Sequence, residues 1–181
     1  MKKLFVLAAM IFATATLSGC ANLAAMKEAK FKNAPEQDSA LVNIVRPRVF
    51  MGDGANVEMW DGENLIGTLS AGDMIQYDAT PGDHTFLAYV QGSWGVAQGR
   101  LEPGKTYYLK FNIGFGFITL GVAKADDPRI PEWNADLDTV TIDKARTKPV
   151  PEKEVADTRK VLQQVKEGKA NVERITDANA I

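Results

Sequence analysis

The chain has 181 residues, of which 45% are hydrophobic and 24% are charged, a composition that is typical of ordinary globular proteins. Its 21 Lys and Arg against 23 Asp and Glu give a net charge of −2, so it lacks the strongly basic surface that nucleic-acid binding requires. One Cys and one His in the whole chain exclude an intramolecular disulfide and a zinc site built from Cys and His.

The first 19 residues have the layout of a secretory signal peptide. Lys2 and Lys3 precede an apolar run over residues 4–16. A membrane-spanning helix needs about 20 apolar residues, and this run is clearly shorter. The pattern therefore predicts a signal peptide over residues 1–19 rather than a transmembrane segment.

The run ends in Leu17-Ser18-Gly19-Cys20, which resembles the lipobox of bacterial lipoprotein signal peptides. The resemblance implies cleavage between Gly19 and Cys20 and attachment of lipid to the Cys20 thiol. Two or three acyl chains on one residue anchor a protein firmly in a bilayer. Ala21 follows the Cys, and by analogy with lipoprotein sorting in Gram-negative bacteria this favours the outer membrane. The alternatives are a plain cleaved signal peptide with an incidental Cys, or a cytoplasmic protein with an apolar start.

Residues 20–38 are expected to form the lipidated Cys and a tether. This segment has few β-branched residues, is rich in Ala and Lys, and contains Pro35. A flexible tether of this length would reach about 20–25 Å. Leu23, Met26 and Phe31 alternatively indicate a short, frayed helix.

Residues 39–142 are predicted to form an all-β domain, an antiparallel β-sandwich of about 7–8 strands. Short β-branched segments alternate here with turns rich in Gly, Pro and Asp, such as the hairpin turn Asp61-Gly62-Glu63-Asn64. The predicted strands include residues 41–45, 56–60, 65–69, 73–77, 84–90, 94–101 and 138–142, together with a long strand that begins at Thr106.

The strand from Thr106 shows the clearest alternation of the chain. Period two places its large apolar side chains on one face, which predicts the centre of the core. Gly114 and Gly116 indicate a kink, a bulge or a close backbone approach. Alternatively, the Gly114–Phe117 region contacts lipid or a partner. The alternating residues are Tyr107, Leu109, Phe111, Ile113, Phe115 and Phe117.

Residues 143–181 are predicted to be a charged, helical C-terminal extension. Pro151 suits the first turn of an amphipathic helix over residues 152–167, and Gly168 suits its end. Val155, Leu162 and Val165 form a narrow apolar stripe that either lies on the sandwich or binds a protein partner. Residues 171–181 are expected to fray.

The motifs of known active sites are mostly missing, so we predict no catalytic residue, no metal site and no cofactor. His84 is the only imidazole, and we interpret it as structural because no nucleophile elbow accompanies it. Several carboxylates fall in predicted turns, where Asp bonds its own backbone, although a glycosidase pair or a calcium site is the alternative. These residues are Asp53, Asp61, Asp73, Asp83, Asp126 and Asp127.

Three tryptophans lie near predicted strand ends or loops. Large indole rings there either take part in the core or stack on a sugar or peptide, and we expect core burial with the indole N–H satisfied. The three are Trp60, Trp94 and Trp133.

The β segment resembles a bacterial lipoprotein family described as domain of unknown function 2846, and its motif order is similar to that of the small PEGA-type β-sandwich. The resemblance implies fold and location only, because the family carries no established activity. It rests on Leu41-Val42-Asn43-Ile44-Val45-Arg46-Pro47, Asp61-Gly62-Glu63-Asn64-Leu65-Ile66-Gly67, Pro81-Gly82-Asp83-His84-Thr85-Phe86 and Pro103-Gly104-Lys105-Thr106-Tyr107-Tyr108-Leu109.

We therefore expect a lipid-anchored envelope lipoprotein that is a binding or structural module at the outer membrane and not an enzyme. Its expected partners are the membrane, through the N-terminal lipid, and a protein at the C-terminal helix, but not nucleic acid. The alternatives are an envelope hydrolase that acts on glycan or peptide, or an inhibitor of such an enzyme.

Overall fold

A computed structural model describes residues 22–49, 53–114 and 116–181. Within these residues the secondary structure is mostly β, with eleven strands in two sheets and two α-helices. The strands are β1 Met26–Glu28, β2 Ala40–Val45, β3 Val57–Asp61, β4 Asn64–Leu69, β5 Asp73–Ala79, β6 Gly82–Val90, β7 Ser93–Leu101, β8 Thr106–Gly114, β9 Phe117–Val122, β10 Asp138–Ile142 and β11 Glu173–Ile175; the helices are α1 Ile130–Asp136 and α2 Glu152–Lys166.

The first sheet, sheet A, has the strand order β1-β10-β5-β2-β8-β9, and the second, sheet B, has the order β11-β7-β6-β3-β4. The predicted all-β class is confirmed. The prediction of an antiparallel sandwich of about 7–8 strands is not matched, because the β2–β8, β5–β10 and β7–β11 pairs are parallel. The strands β1 and β11 have three residues each, too few to show an alternating pattern in the sequence.

The two sheets share one hydrophobic core. Alternate residues of β2, such as Val42 and Ile44, meet Met59 and Phe86 from sheet B. All six residues of β2 are buried, because α1 covers the opposite face of sheet A. Trp133 of α1 is 3% exposed and packs in that outer cluster.

The helix α2 covers the outer face of sheet B. Val161 of the helix is buried in a cluster with Trp60, Leu87 and Val96. Glu152 and Glu154 lie in its first turn, where a negative charge is favoured by the helix dipole. Gly168 follows the helix with a φ of +67°, a conformation that glycine adopts without a steric penalty.

The tether prediction for 20–38 is wrong for the described residues 22–38. Ala24 is 1% exposed, and β1 pairs with β10 at the edge of sheet A. The Thr68 N–H donates to Met26 Sδ at 3.3 Å, and Gly67 leaves room for that side chain because it has no Cβ. Cross-strand pairing and packing thus override the low β propensity of the segment.

The prediction that residues 171–181 fray, as the end of an extension separate from the β domain, is also wrong. The strand β11 adds to the edge of sheet B beside β7. Asn179 is buried, and its side-chain Nδ2 donates to the Ala123 carbonyl at 2.8 Å. The backbones of Ile181 and Thr106 exchange two hydrogen bonds of 3.0 and 3.1 Å. Residues 143–181 are therefore part of the domain.

The long alternating strand, β8, follows the predicted pattern over part of its length. Tyr107, Leu109 and Phe111 are buried in the core, whereas Ile113 is half-buried. Phe117 is 60% exposed, so the predicted core face does not reach the β8–β9 hairpin tip. The reason is that β2 ends opposite Lys110, and past that end β8 pairs with β9 as its one remaining strand neighbour in the described residues. Phe115 lies outside the described residues.

Candidate functional site

A cleft of about 620 Å³ opens where β4, the edge strand of sheet B, lies opposite β5 and β10 of sheet A. Its floor is apolar and consists of residues from both sheets, including Leu65, Ile66, Ile75 and Val140. Tyr77 lines the same cleft. The volume falls within the range of pockets that take small ligands.

The cleft is also lined by lysines from two segments that are distant in sequence, one just after β1 and one just after β10. Lys30 and Lys144 are exposed and make no ion pair with the described residues. Lys32 differs, because its ammonium bonds Asp78 and lies 2.7 Å from Glu36 Oε1. Those two hydrogen bonds raise the pKa of Lys32 above its usual range. The cleft thus combines an apolar floor with two uncompensated positive charges.

A cluster of three polar side chains connects to the cleft through Tyr77. The Tyr77 hydroxyl donates to Asp61 Oδ2 at 3.1 Å, and His84 Nδ1 lies 2.8 Å from the same oxygen. His84 Nε2 lies 2.7 Å from the Thr80 carbonyl oxygen. A carboxylate and a carbonyl are both acceptors, so these two contacts favour an imidazole that donates from both ring nitrogens, which is its cationic form.

The electrostatics of the cluster agree with this protonation. The hydrogen bond to Asp61 raises the pKa of His84. Burial and the nearby charge of Asp61 raise the pKa of Tyr77 to about 12, so its hydroxyl stays protonated at neutral pH. Both His84 nitrogens face acceptors of the protein itself, Asp61 and Thr80. The three side chains of the cluster come from strands β3, β5 and β6.

Of the other carboxylates singled out in the sequence, Asp53, Asp126 and Asp127 lie in turns or loops, whereas Asp73 begins β5 and Asp83 lies in β6. Asp53 Oδ1 accepts the Val49 N–H, and Asp73 Oδ2 accepts the Ser70 N–H. Asp127 forms a fork with Arg129, whose hydrogen bonds lower the pKa of Asp127 to about 2. Within residues 22–49, 53–114 and 116–181, no three His, Cys, Asp or Glu side chains form a group that could hold a metal ion.

Two of the three tryptophans are in the interior. Trp60 is 1% exposed in the cluster with α2, and Trp133 is buried on the outer face of sheet A. Trp94 is half-buried, and its ring centroid lies 4.6 Å from that of Tyr89. Trp60 and Trp133 therefore offer no face on which a sugar could stack.

The apolar stripe of α2 lies on sheet B. Val155, Leu162 and Val165 are half-buried and pack against the cluster that contains Trp60 and Leu87. Of the two alternatives for the stripe, packing on the sandwich and binding of a protein partner, this placement corresponds to packing on the sandwich. Binding of a protein partner through these three residues stays a prediction, and it would require α2 to leave the sheet.

Gly19 and Cys20, the predicted cleavage and lipidation positions, lie outside the described residues. In the part of the chain that the structure describes, no helix is long and apolar enough to cross a membrane.

No family model, curated protein or solved structure matches the chain. Sequence reasoning missed Lys30 and Lys144, because they lie in segments interpreted as a tether and an extension. No motif marks them, and only the pairing of β1 with β10 places both segments beside the cleft.

Proposed function

We propose that the chain is a bacterial lipoprotein that is cut before Cys20, lipidated on the Cys20 thiol and held at the outer membrane as a binding or structural module. The observation that carries the proposal is the position of the lipobox relative to the domain. The lipobox ends two residues before Asn22, and the buried core begins at Ala24. Cleavage before Cys20 would thus leave the described core intact.

A binding or structural role has more support than a hydrolase. The only imidazole, His84, uses both ring nitrogens in contacts with Asp61 and Thr80. A general base must accept a proton at a free ring nitrogen, which this geometry does not provide. The titratable groups that line the large cleft are three lysines with Tyr77 and Asp78, and they include no nucleophile paired with a base.

Within this module we assign ligand binding to the cleft between β4, β5 and β10. An apolar floor favours an apolar chain or ring, and the charges of Lys30 and Lys144 favour an anionic group. The ligand class is therefore a small amphiphile with an anionic head, such as a fatty acid.

The relation to the domain of unknown function 2846 family, with its PEGA-like β-sandwich, is part of the same proposal. Two sheets around one core support it, as do the tight turns at Asp61-Gly62 and Pro103-Gly104. The relation adds no site residue.

Metabolic labelling with radioactive palmitate tests the lipoprotein proposal. The wild-type chain should incorporate label and sediment with membranes, and Cys20→Ala should do neither. Ser18→Ala is the matched control, because it keeps a small residue in the lipobox and should still be labelled. Label in the Cys20→Ala variant would refute the proposal.

A further inference from the structure

The β8–β9 hairpin tip and the start of the described chain lie at the same end of the domain. Asn56 Nδ2 donates to Asn22 Oδ1 at 2.9 Å, and Ser70 donates to Asn56 at 3.0 Å. Ser70 lies in the turn between β4 and β5. The carbonyl of Asp73, the first residue of β5, accepts the N–H of Arg46, the residue that directly follows β2. We call this the anchor end, defined by Asn22, Arg46, Asn56 and Ser70.

The β8–β9 hairpin extends past the end of β2 at the anchor end. Val45, the last residue of β2, pairs with Lys110, and β8 continues for four more residues to Gly114. At about 3.3 Å per residue, the tip extends about 13 Å past the end of β2. Arg46 fixes the base of the hairpin, because its guanidinium lies 5.4 Å from the Phe111 ring centroid and donates to the Leu69 carbonyl at 2.8 Å.

Exposed hydrophobic side chains concentrate at this end. In the described residues, only Val49, Phe117 and Ile181 are large hydrophobic residues with strong exposure. Phe117 is at the hairpin tip, and Val49 shares a small cavity with Ile113 of β8. Ile181 is at the opposite end, where it pairs with Thr106 at the start of β8.

The segment between Cys20 and the domain is short, and this limits how the domain can be oriented relative to a lipid on Cys20. Asn22 lies two residues after Cys20, which corresponds to at most about 7 Å. Ala24 is buried, and the Ala25 N–H donates to Thr147 Oγ1 at 3.0 Å, so the chain is fixed to the domain from there on. A lipid on Cys20 would hold the anchor end against the headgroups.

We propose that the anchor end faces the membrane and that Phe117 inserts into the interfacial region of the bilayer. This inference rests on the proposed lipid anchor at Cys20. The partner is a lipid surface, because the exposed apolar tip lies on the side to which the anchor tethers the domain, and apolar side chains enter the bilayer about 5–10 Å deep at such interfaces. Lys148, which lines a cavity with Asn22, adds a positive charge near the phosphates.

Fluorescence quenching by brominated lipid tests this orientation. Acylated protein carrying Phe117→Trp is placed in phosphatidylethanolamine and phosphatidylglycerol vesicles whose acyl chains carry bromine. The emission that the new Trp adds to the wild-type signal should shift to the blue on vesicle binding and should be weaker in brominated vesicles than in vesicles of the same lipids without bromine. Ile181→Trp, an exposed apolar position at the opposite end, is the matched control and should not be quenched. Both variants should keep the wild-type unfolding midpoint.

The intact mass of the same samples shows whether the chain is acylated, and it therefore separates failure of the proposed orientation from failure of the proposed lipid anchor. An acylated Phe117→Trp chain whose added emission is not quenched would overturn the orientation and leave the lipid anchor in place. The orientation would also be overturned if the protein formed a dimer in detergent in which the hairpin tip is shielded from quencher. In that case a second copy of the chain, and not the bilayer, would cover Phe117. A chain without acyl groups would overturn the proposed function and this inference together.

Discussion

The Nδ1 atom of His84 lies 2.8 Å from Oδ2 of Asp61, and this contact ties β6 to the last residue of β3. Both side chains are about 10% exposed, so the pair is largely shielded from solvent. Such a pair makes the fold depend on pH, because the imidazole must be protonated to donate from both nitrogens.

The pKa of His84 is raised, mainly by the hydrogen bond to Asp61. The stabilisation by the pair should be complete below about pH 6.5, the pKa of an unfolded His, and should be lost as the pH rises through the folded-state pKa. Since His84 is the only His, its ring signals in an NMR titration are unambiguous and should report a pKa above about 6.5. A titration at or below that value would contradict a cationic His84 imidazole paired with Asp61.

The substitution His84→Gln should destabilise the protein by about 1–3 kcal/mol at pH 6 and by less at pH 9, because it removes a charged hydrogen-bond donor from Asp61. Urea unfolding at the two pH values measures the difference. An equal loss at both values would mean that the charge of His84 does not contribute.

Glu58 should produce a second pH dependence. This carboxyl is half-buried on sheet B beside α2; burial, and then the charge of Glu154, raise its pKa to about 7. Its neutral form is favoured in the fold, so this stabilisation is complete below about pH 4.5 and is lost as the pH rises through 7. After allowance for solvent screening, Glu58→Gln should stabilise the protein by about 1–2 kcal/mol at pH 8 and by little at pH 4.

Chemical unfolding at pH 4 and pH 8 measures the Glu58 effect. Glu28→Gln changes an exposed residue of β1 and serves as the control, with no expected shift at either pH. If the Glu58→Gln variant is not more stable than wild type at pH 8, the pKa of Glu58 is not raised by its site.

Gly99 allows β11 to pair with β7. A Cβ at Gly99 would come within 2.3 Å of the Ile175 carbonyl oxygen, so Gly99→Ala should push β11 away and cost about 1–3 kcal/mol. Hydrogen exchange at residues 173–181 should accelerate in this variant. Gly54→Ala adds a methyl group in open space and should shift stability by no more than about 0.5 kcal/mol. Unchanged exchange in Gly99→Ala would show that β11 does not pack closely there.

The cleft lysines should control ligand affinity. The double substitution Lys30→Glu and Lys144→Glu should weaken binding of a fluorescent fatty acid by roughly tenfold or more, because it replaces two attractive charges by repulsive ones. Lys105→Glu reverses an exposed charge in the β7–β8 turn and should leave affinity unchanged. Equal affinity in the double variant and the control would remove the cleft as the site.

The sequence predicts those parts of the fold that have local signals. The apolar run of β2 and the alternation of Tyr107, Leu109 and Phe111 indicate strands, and the Asp-Gly pair marks the β3–β4 turn. The parallel pairs and the three-residue strands have no local pattern, since only long-range packing selects them.

The candidate site is predicted less well than the fold for the same reason. Nothing in the spacing of Asp61 and His84 indicates that they meet, because the register of β3 with β6 decides it. Lys30 and Lys144 lie beyond opposite ends of the β1–β10 pair, and both line the cleft only because these two strands pair. The exposed Phe117 breaks an alternation that continues from buried residues, and only the different ends of β2 and β8 explain its exposure.

The lipid anchor at Cys20 is tested most directly by the intact mass of the protein extracted with detergent from its own membranes. We expect a chain that begins at Cys20 and carries the added mass of a diacylglyceryl group, with a further acyl group on the amino terminus. A chain that retains residues 1–19, or one whose Cys20 carries no lipid, would contradict it.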